Sequence, residues 1–251
     1  MVAAFKLKQH RYFLTALVFS MILLEYSYYS TMAFGYENAG NTVELFLYTL
    51  GSGLASWLGI LFPMVAALPY ATSYVQEYKT GYLKCEFLRE RKSIYIVQKL
   101  ILAFVYGGAA LGIPVGLYAL QIGLTHKTEV SLESMEGQRF VSYLPNIAEQ
   151  NEAGYMAMSV GFVFLCGAAF SVFALGISAW VKNEFLTILL PFAICVLIAI
   201  VSPVGWFNLL LLFCPSEYSL IETWQLAVMW MGLMAVGIFL FVSGVKYNEK
   251  E

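Results

Sequence analysis

The chain has 251 residues, of which 60% are hydrophobic and 12% charged, and its mean hydropathy is +0.73. A soluble domain could not cover its surface with so few polar groups, so the composition predicts an all-α membrane protein. The formal net charge of -2 gives no support to nucleic-acid binding.

Six long apolar segments are each near the roughly 20 residues that a helix needs to cross the hydrocarbon of a bilayer. Backbone amides have no water partner there, so each segment is predicted to be helical, and the unbroken apolarity argues against a barrel. Because no internal repeat occurs, residues 1–251 are interpreted as a single transmembrane domain. The predicted spans are residues 12–34, 46–69, 100–124, 155–181, 185–201 and 224–245.

The positive charges fall almost entirely in alternate gaps between these segments. The cytoplasmic side of a membrane retains Lys and Arg, so the pattern predicts a multi-pass protein with both termini in the cytoplasm. Only Lys127 and Arg139 lie in predicted outer segments. The basic residues on the predicted inner side are Lys6, Lys8, Arg11, Lys79, Lys84, Arg89, Arg91, Lys92, Lys99, Lys182, Lys246 and Lys250.

The amino-terminal segment, residues 2–12, combines apolar and basic side chains. An amphipathic helix lying on the inner leaflet would satisfy both faces, and a frayed basic tail is the alternative. The apolar segment that follows is too long for a signal peptide and lacks a small-residue cleavage site. We expect it to remain as the first helix.

One ionisable residue, Glu25, lies well inside the first predicted span and is followed by hydroxyl-bearing side chains. An acidic residue at a helix centre costs about 2.5 to 3.5 kcal/mol on insertion scales, and such residues usually face a cavity or a partner. Glu25, Tyr26, Tyr28 and Tyr29 are therefore candidates for a substrate path. The alternative is a structural role, in which a protonated Glu25 forms a hydrogen bond with a neighbouring helix.

Small residues recur every four positions in the second and third predicted spans. Stacked on one face, they let helix backbones approach closely, which is how helices associate in a membrane. We expect them to serve packing inside the bundle, and a subunit interface is the alternative. The residues are Gly51, Ala55 and Gly59, and then Gly108, Gly112 and Gly116.

Four connections between the predicted spans differ in character. The inner loop 73–99 is dense in both signs of charge, and the outer loop 125–154 is acidic with interspersed apolar residues. Both are predicted to contain helix, because structureless loops of this length are uncommon. Residues 202–223 are too apolar for water and too short to cross, so they are predicted to be re-entrant or interfacial. Residues 182–184 form a minimal inner turn.

The side chains that membrane enzymes need are missing from the sequence. It has no Asp, and His10 and His126 lie outside the predicted spans, so intramembrane aspartyl, metallo- and serine proteases lack essential residues. The four cysteines are too far apart for a metal site. No G-x-x-x-x-G-K-[ST] loop occurs, so ATP would have to bind another chain. We predict no catalytic residue, metal or cofactor in this chain.

The strongest local signal is the inner loop, SYVQEYKTGYLKCEFLRERKSIYIVQK, in which Gly81 is a predicted break between two short helices. Such a surface can dock a soluble partner, and a merely solvated loop is the alternative. Its order of residues resembles that of the permease subunits of type-2 ABC exporters. The residues that carry the resemblance are Glu77, Gly81, Leu83, Arg89, Lys92, Tyr95 and Lys99.

The resemblance implies a bacterial plasma-membrane permease that pairs with a second permease copy, identical or different. It also implies two copies of a separate ATP-binding subunit, which holds ATP and Mg and whose closure is transmitted through the loop between the second and third helices. Residues 77–92 would then form the coupling helix, with residues 2–12 as a second contact. The residues assigned to coupling are Glu77, Lys79, Gly81, Tyr82, Leu83, Lys84, Arg89, Arg91 and Lys92.

In relatives the cargo passes along a dimer interface lined by the first, second and fifth helices. An amphipathic or hydrophobic cargo suits a chain with few charges at membrane depth, and the long outer loop 125–154 favours peptides, toxins or lantibiotic-type antimicrobials over polysaccharides. One competing prediction is an ion-coupled secondary carrier or channel that uses Glu25. Another is a membrane anchor of a sensor complex, which would transport nothing.

Overall fold

The computed structural model describes residues 2–33, 42–51, 56–89, 91–125, 147, 150–201, 208–213 and 223–248, with side chains from Gln9 and Trp224 onwards in the first and last long ranges. The regular elements of this part of the chain are all helical. They are α1 (Val2–Ala33), α2 (Thr42–Gly51), α3 (Trp57–Ala67), α4 (Ser73–Lys79), α5 (Tyr82–Arg89), α6 (Lys92–Thr125), α7 (Glu152–Ser178), α8 (Glu184–Val201), a 3-10 helix (Leu209–Leu212) and α9 (Thr223–Asn248).

Five of these helices are long and apolar enough to cross a membrane: α1 from Gln9, α6, α7, α8 and α9 from Trp224. They coincide with the first, third, fourth, fifth and sixth predicted spans. The all-helical, multi-pass character predicted from composition is therefore confirmed.

The second predicted span, residues 46–69, is not the single helix that we expected. Its described residues belong to α2 and α3, of 10 and 11 residues, each of which is shorter than a crossing helix. Ser56 explains the interruption, because its hydroxyl donates to Leu50 O at 2.5 Å and accepts from the Gly59 amide at 3.2 Å. A serine in this position caps the start of a new helix.

The predicted stack of small residues in this second span is wrong for the same reason. Gly51 ends α2 and Gly59 lies in α3, so the two do not share one helix face. Ala55 lies outside the described residues.

The amino-terminal segment is not a separate interface helix, contrary to expectation. Residues 2–12 are the first turns of α1, which continues unbroken for 32 residues. No Pro or Gly occurs between Val2 and Ala33, so nothing in the sequence ends the helix there. At about 1.5 Å per residue, α1 exceeds the hydrocarbon thickness by several turns.

Helix α7 lies at the centre of the bundle. In the most apolar stretch of α7, 72% of the residues are buried, against 17% in that of α8 and 22% in that of α1. Helices α6 and α9 approach it so closely that a Cβ atom on Gly167 would lie 2.6 Å from Gly107 O, and one on Gly237 would lie 2.7 Å from Phe173 Cα. Gly108 and Gly112 of α6 pack on Phe164, so these glycines serve packing inside the bundle, as expected.

The inner loop contains two short helices, α4 and α5, and Gly81 between them adopts φ +71°. The predicted break at Gly81 is therefore confirmed. Of residues 202–223, the structure describes 208–213 and Thr223, and Leu212 and Phe213 there are fully buried in the core. Most of the outer loop, including residues 126–146, lies outside the described residues, as does Cys214.

Candidate functional site

One end of the bundle gathers the stretches whose basic residues the sequence assigns to the inner side. The start of α6, the turn 179–183 between α7 and α8, and the end of α9 all contact α4 there. We call this region the basic end. Helix α4 has only seven residues, yet five of them, from Ser73 to Glu77, are buried.

A buried ion pair joins α4 to α6. Lys99 Nζ lies 2.7 Å from Glu77 Oε1, and both side chains are less than a tenth exposed. The Tyr95 hydroxyl donates to Glu77 Oε2 at 2.6 Å, and Lys99 Nζ donates to Ser73 Oγ at 3.1 Å. Buried charges are retained only when they are paired and hydrogen-bonded, and this arrangement meets both conditions.

Aromatic rings complete the surroundings of the Lys99 ammonium group. Its Nζ lies 5.0 Å from the Tyr70 ring centroid and 5.7 Å from that of Tyr95, within the range of a cation–π interaction. Tyr70 stacks on Tyr106 of α6 with ring centroids 5.7 Å apart. Burial, and secondly the Glu77 carboxylate, raise the pKa of Tyr70, so its hydroxyl stays protonated. The start of α6 and α4 therefore form one unit.

Two further side chains of α4 reach α9 and the turn between α7 and α8. Asn248 Nδ2 donates to the Tyr74 hydroxyl at 3.1 Å and to Ala179 O at 2.8 Å. Lys182 Nζ donates to the Tyr78 hydroxyl at 2.9 Å and lies 4.5 Å from the centroid of the same ring. Helix α4 is therefore tied to the ends of α6, α7 and α9.

The last link of α4 is to α8. Gln76 Nε2 donates to Glu184 Oε2 at 2.8 Å, and Glu184 is the first residue of α8. Gln76 is only 4% exposed. The two residues are far apart in the sequence, and only the fold brings them together.

Gly81 sets the direction in which α5 leaves α4. Its positive φ is a conformation that residues with a side chain rarely adopt. A Cβ atom there would meet nothing within 4 Å, so the conformation, and not crowding, calls for glycine. We call α4, Thr80, Gly81, α5 and the basic residues Arg91 and Lys92 that follow α5 together the elbow.

The exposed face of the elbow carries basic side chains beside an apolar one. Lys84, Arg89, Arg91 and Lys92 are exposed, and Leu88 is 91% exposed. A groove of about 820 Å³ runs between the two helices of the elbow and the end of α9. Its lining residues are Tyr78, Lys79, Gly81, Leu83, Lys84, Phe87, Leu88, Lys92 and Asn248.

The predicted coupling residues divide into two groups. Glu77 and Leu83 are buried and Tyr82 is half-buried, so these side chains pack mainly against the rest of the protein. Lys79, Gly81, Lys84, Arg89, Arg91 and Lys92 are exposed. The site also contains Gln76, Tyr74 and Asn248, which the sequence does not predict. The only sequence feature that marks them is a polar residue beside a long apolar helix.

The predicted substrate-path residues all lie on α1 but differ in exposure. Glu25 is half-buried in α1, while Tyr26 and Tyr29 are 57% and 69% exposed. Tyr28 packs instead against Tyr118 of α6, with ring centroids 6.0 Å apart.

A second groove, of about 880 Å³, lies between α1, α3 and α8. These helices belong to the first, second and fifth predicted spans. The lining is almost entirely apolar, with Arg11 near the basic end: Arg11, Leu14, Thr15, Val18, Phe19, Ile22, Leu61, Met64, Val65, Leu68 and Ile188.

The described residues contain no group of three or more His, Cys, Asp or Glu that could hold a metal ion. Comparison with protein-family models, curated proteins and solved structures finds no significant match. The basic end and the apolar groove are therefore the candidate functional regions of the described residues.

Proposed function

We propose that this chain is the transmembrane subunit of an ATP-driven exporter of the type-2 ABC kind. It would move an amphipathic or hydrophobic cargo out of the cell while a separate subunit hydrolyses ATP. The observation that carries the proposal is the elbow, because its basic face is exposed while its inner side is fastened to the ends of the long helices.

The elbow would serve as the docking element for the ATP-binding subunit. Arg89, Arg91 and Lys92 supply a cationic surface for acidic groups, and Leu88 supplies an apolar contact beside them. Gly81 holds this surface at a fixed angle to α4.

Motion of the docked subunit would reach the membrane through α4. Separating Glu77 from Lys99 would leave an unpaired buried charge, which costs about 3 to 5 kcal/mol. A displacement of α4 would therefore carry the start of α6 with it. The bond between Tyr74 and Asn248 extends the displacement to α9.

The apolar groove between α1, α3 and α8 is where we place the cargo and the second permease copy, identical or different. Its lining suits the apolar face of a peptide, toxin or drug-like molecule. In this proposal both termini lie in the cytoplasm of a bacterial cell, and α2 and α3 together make the sixth crossing.

Charge reversal on the elbow tests the proposal. Arg89→Glu, alone and with Arg91→Glu and Lys92→Glu, should lower co-purification of an ATP-binding subunit from the neighbouring reading frame. ATP turnover in liposomes should fall by about tenfold or more, which corresponds to about 1.4 kcal/mol of docking energy. Lys246→Glu, on α9 at the same end, is the matched control and should change both values less than about twofold. Unchanged values in the triple variant would remove the elbow from the coupling role.

An ion-coupled carrier or channel is the second candidate, because Glu25 is an acidic side chain half-buried inside a crossing helix. It predicts uptake into vesicles that follows a proton gradient, needs no partner and is lost in Glu25→Gln. The exporter predicts that transport needs ATP and persists in that variant. An anchor without transport would hydrolyse ATP with its partner and move no cargo.

A further inference from the structure

Among the crossing helices in the described part of the chain, α8 has the smallest share of buried residues. Only Thr187, Pro191 and Cys195 of its 18 residues are buried. Pro191 also lacks the amide hydrogen that would bond one turn back, which weakens the helix at its middle. The position of α8 therefore depends more on its ends than that of α7 does.

The basic end of α8 is bonded to α4 through Gln76 and Glu184, with Nε2 and Oε2 2.8 Å apart. The other amide atom of Gln76, Oε1, is buried and receives no hydrogen bond from the described residues. A buried acceptor without a donor is unfavourable, so this arrangement leaves part of the Gln76 amide unsatisfied. The link therefore joins α8 to α4 while part of its hydrogen-bonding capacity is unused.

The links of α4 to α6 and to α8 differ in strength. Towards α6 it has a buried ion pair, supported by hydrogen bonds from Tyr95 and Lys99. Towards α8 it has the bond from Gln76 to Glu184. One hydrogen bond to a carboxylate contributes less free energy than breaking a buried ion pair costs. A displacement of α4 would therefore break the bond to α8 before the link to α6.

Release of α8 would change the apolar groove. Ile188 lies one turn after Glu184 and is part of the groove lining, opposite residues of α1 and α3. If this end of α8 moved away from α1 and α3, the groove would become wider near Arg11.

We propose that Gln76 and Glu184 form a releasable latch between α4 and α8, and that displacement of the elbow opens the latch and widens the groove. Both are positioning residues, since neither lines the groove. The inference rests on the proposed function and specifies how the docked subunit would control access to the groove.

The test measures water access beside α8 in the full-length protein in lipid vesicles. Thr187 is fully buried one turn after Glu184, so Thr187→Cys is the reporter, in a background with Cys85→Ser, Cys166→Ala, Cys195→Ala and Cys214→Ser. N-ethylmaleimide reacts with the thiolate, which forms only where water reaches the sulfur. Intact-mass spectrometry gives the labelling rate.

Gln76→Glu should raise the labelling rate about tenfold or more, because two carboxylates would face each other at the latch. Adding Glu184→Gln restores a pair of one amide and one carboxylate and should return the rate to within about twofold of the reference. Gln76→Leu, which removes the bond without adding charge, should also raise the rate. Tyr74→Phe removes the bond of α4 to Asn248 and should leave the rate unchanged.

An unchanged rate in both Gln76 variants would overturn the latch, as would failure of Glu184→Gln to restore the reference rate. So would a rise in Tyr74→Phe equal to that in Gln76→Leu, since α4 would then hold α8 only through its general packing. The assay uses no ATP, cargo or partner, so failure of the latch is distinguishable from failure of the exporter proposal.

Discussion

Glu77 and Lys99 illustrate how two opposite charges can be buried at the end of a helix bundle. Both side chains are removed from water, and their opposite charges lie 2.7 Å apart. The Tyr95 hydroxyl donates a further hydrogen bond to Glu77, and Ser73 accepts one from Lys99. Such a pair adds less to stability than its short distance suggests, because desolvation offsets much of the attraction. We expect its main effect to be fixing the register between α4 and α6.

Removing one partner should be far more harmful than removing both. Glu77→Gln leaves the Lys99 ammonium group buried without its counter-charge and should cost about 3 to 5 kcal/mol, whereas Glu77→Leu with Lys99→Met should recover part of that loss. The unfolding temperature in detergent micelles, followed by tryptophan fluorescence, is the measurement.

Glu86→Gln is the matched control for this variant. Glu86 is half-buried on α5, and a glutamine there can still accept the hydrogen bond from the Tyr82 hydroxyl. Its effect should stay within about 0.5 kcal/mol. Similar shifts for Glu77→Gln and Glu86→Gln would contradict the assignment of a buried pair.

The glycines of α7 and α9 offer a second comparison between single residues. Gly167→Ala places a Cβ atom 2.6 Å from Gly107 O and should destabilise the protein by about 1 to 3 kcal/mol through overpacking. Gly161→Ala, on the same helix, meets nothing within 4 Å and should be neutral or stabilising by up to about 1 kcal/mol. Gly237→Ala and Gly232→Ala form the equivalent pair on α9. Equal unfolding temperatures within a pair would show that the helices do not touch there.

Among the elements, the elbow depends most on one backbone conformation. At φ +71°, Gly81→Ala should cost about 1 to 2 kcal/mol, and since no atom lies near the new Cβ, the cost is conformational alone. Gly81→Asn should cost less, because Asn tolerates the left-handed region. Trypsin cleavage after Lys84 and Arg89 should be about 5 to 30 times faster in Gly81→Ala than in the wild type. Equal rates for the Ala and Asn variants would show that φ does not hold α5 in place.

The elements that could be predicted are those whose signal lies within one segment. Uninterrupted apolar runs predict α6, α7, α8 and α9, and a single glycine in a charged loop predicts the elbow. The interruption at Ser56 could not be predicted, because one hydroxyl hidden in an apolar stretch costs little in hydropathy yet caps a helix in three dimensions. The mixture of basic and apolar side chains in residues 2–12 predicts a separate interface helix, but no Pro or Gly ends the helix there, so α1 continues through this segment.

The candidate site was predictable only in its exposed half. Basic residues such as Arg89 and Lys92 stand out by charge and by their place beside the third predicted span. The buried half depends on contacts between distant segments, such as Gln76 with Glu184 and Tyr74 with Asn248. Periodicity and spacing carry no information on which helix ends will meet, so these partners appear only in the fold.

On the scale of the whole molecule, the helices differ in how firmly they are held. Helices α6, α7 and α9 form a tightly packed unit through glycine contacts, while α1 and α8 lie at its edge with most of their surface unburied. Helix α4 contacts the ends of α6 and α9 in the packed unit and the end of α8 at its edge. A displacement of the elbow would therefore act on the packed unit through α6 and α9 and change its position relative to α8, which suits a transporter whose path lies at the edge.

That interpretation requires the basic end to face the cytoplasm, which thiol labelling can test. Cys85 is exposed on α5, and Thr125 is exposed at the opposite end of the 34-residue helix α6, about 50 Å away at 1.5 Å per residue. With Cys214→Ser in both proteins, a membrane-impermeant maleimide added to intact cells should modify Thr125→Cys in a Cys85→Ser background and leave Cys85 unmodified. Inside-out vesicles should give the reverse result. If Cys85 reacts from outside intact cells, the elbow faces away from the ATP supply, and no cytoplasmic subunit could dock on it.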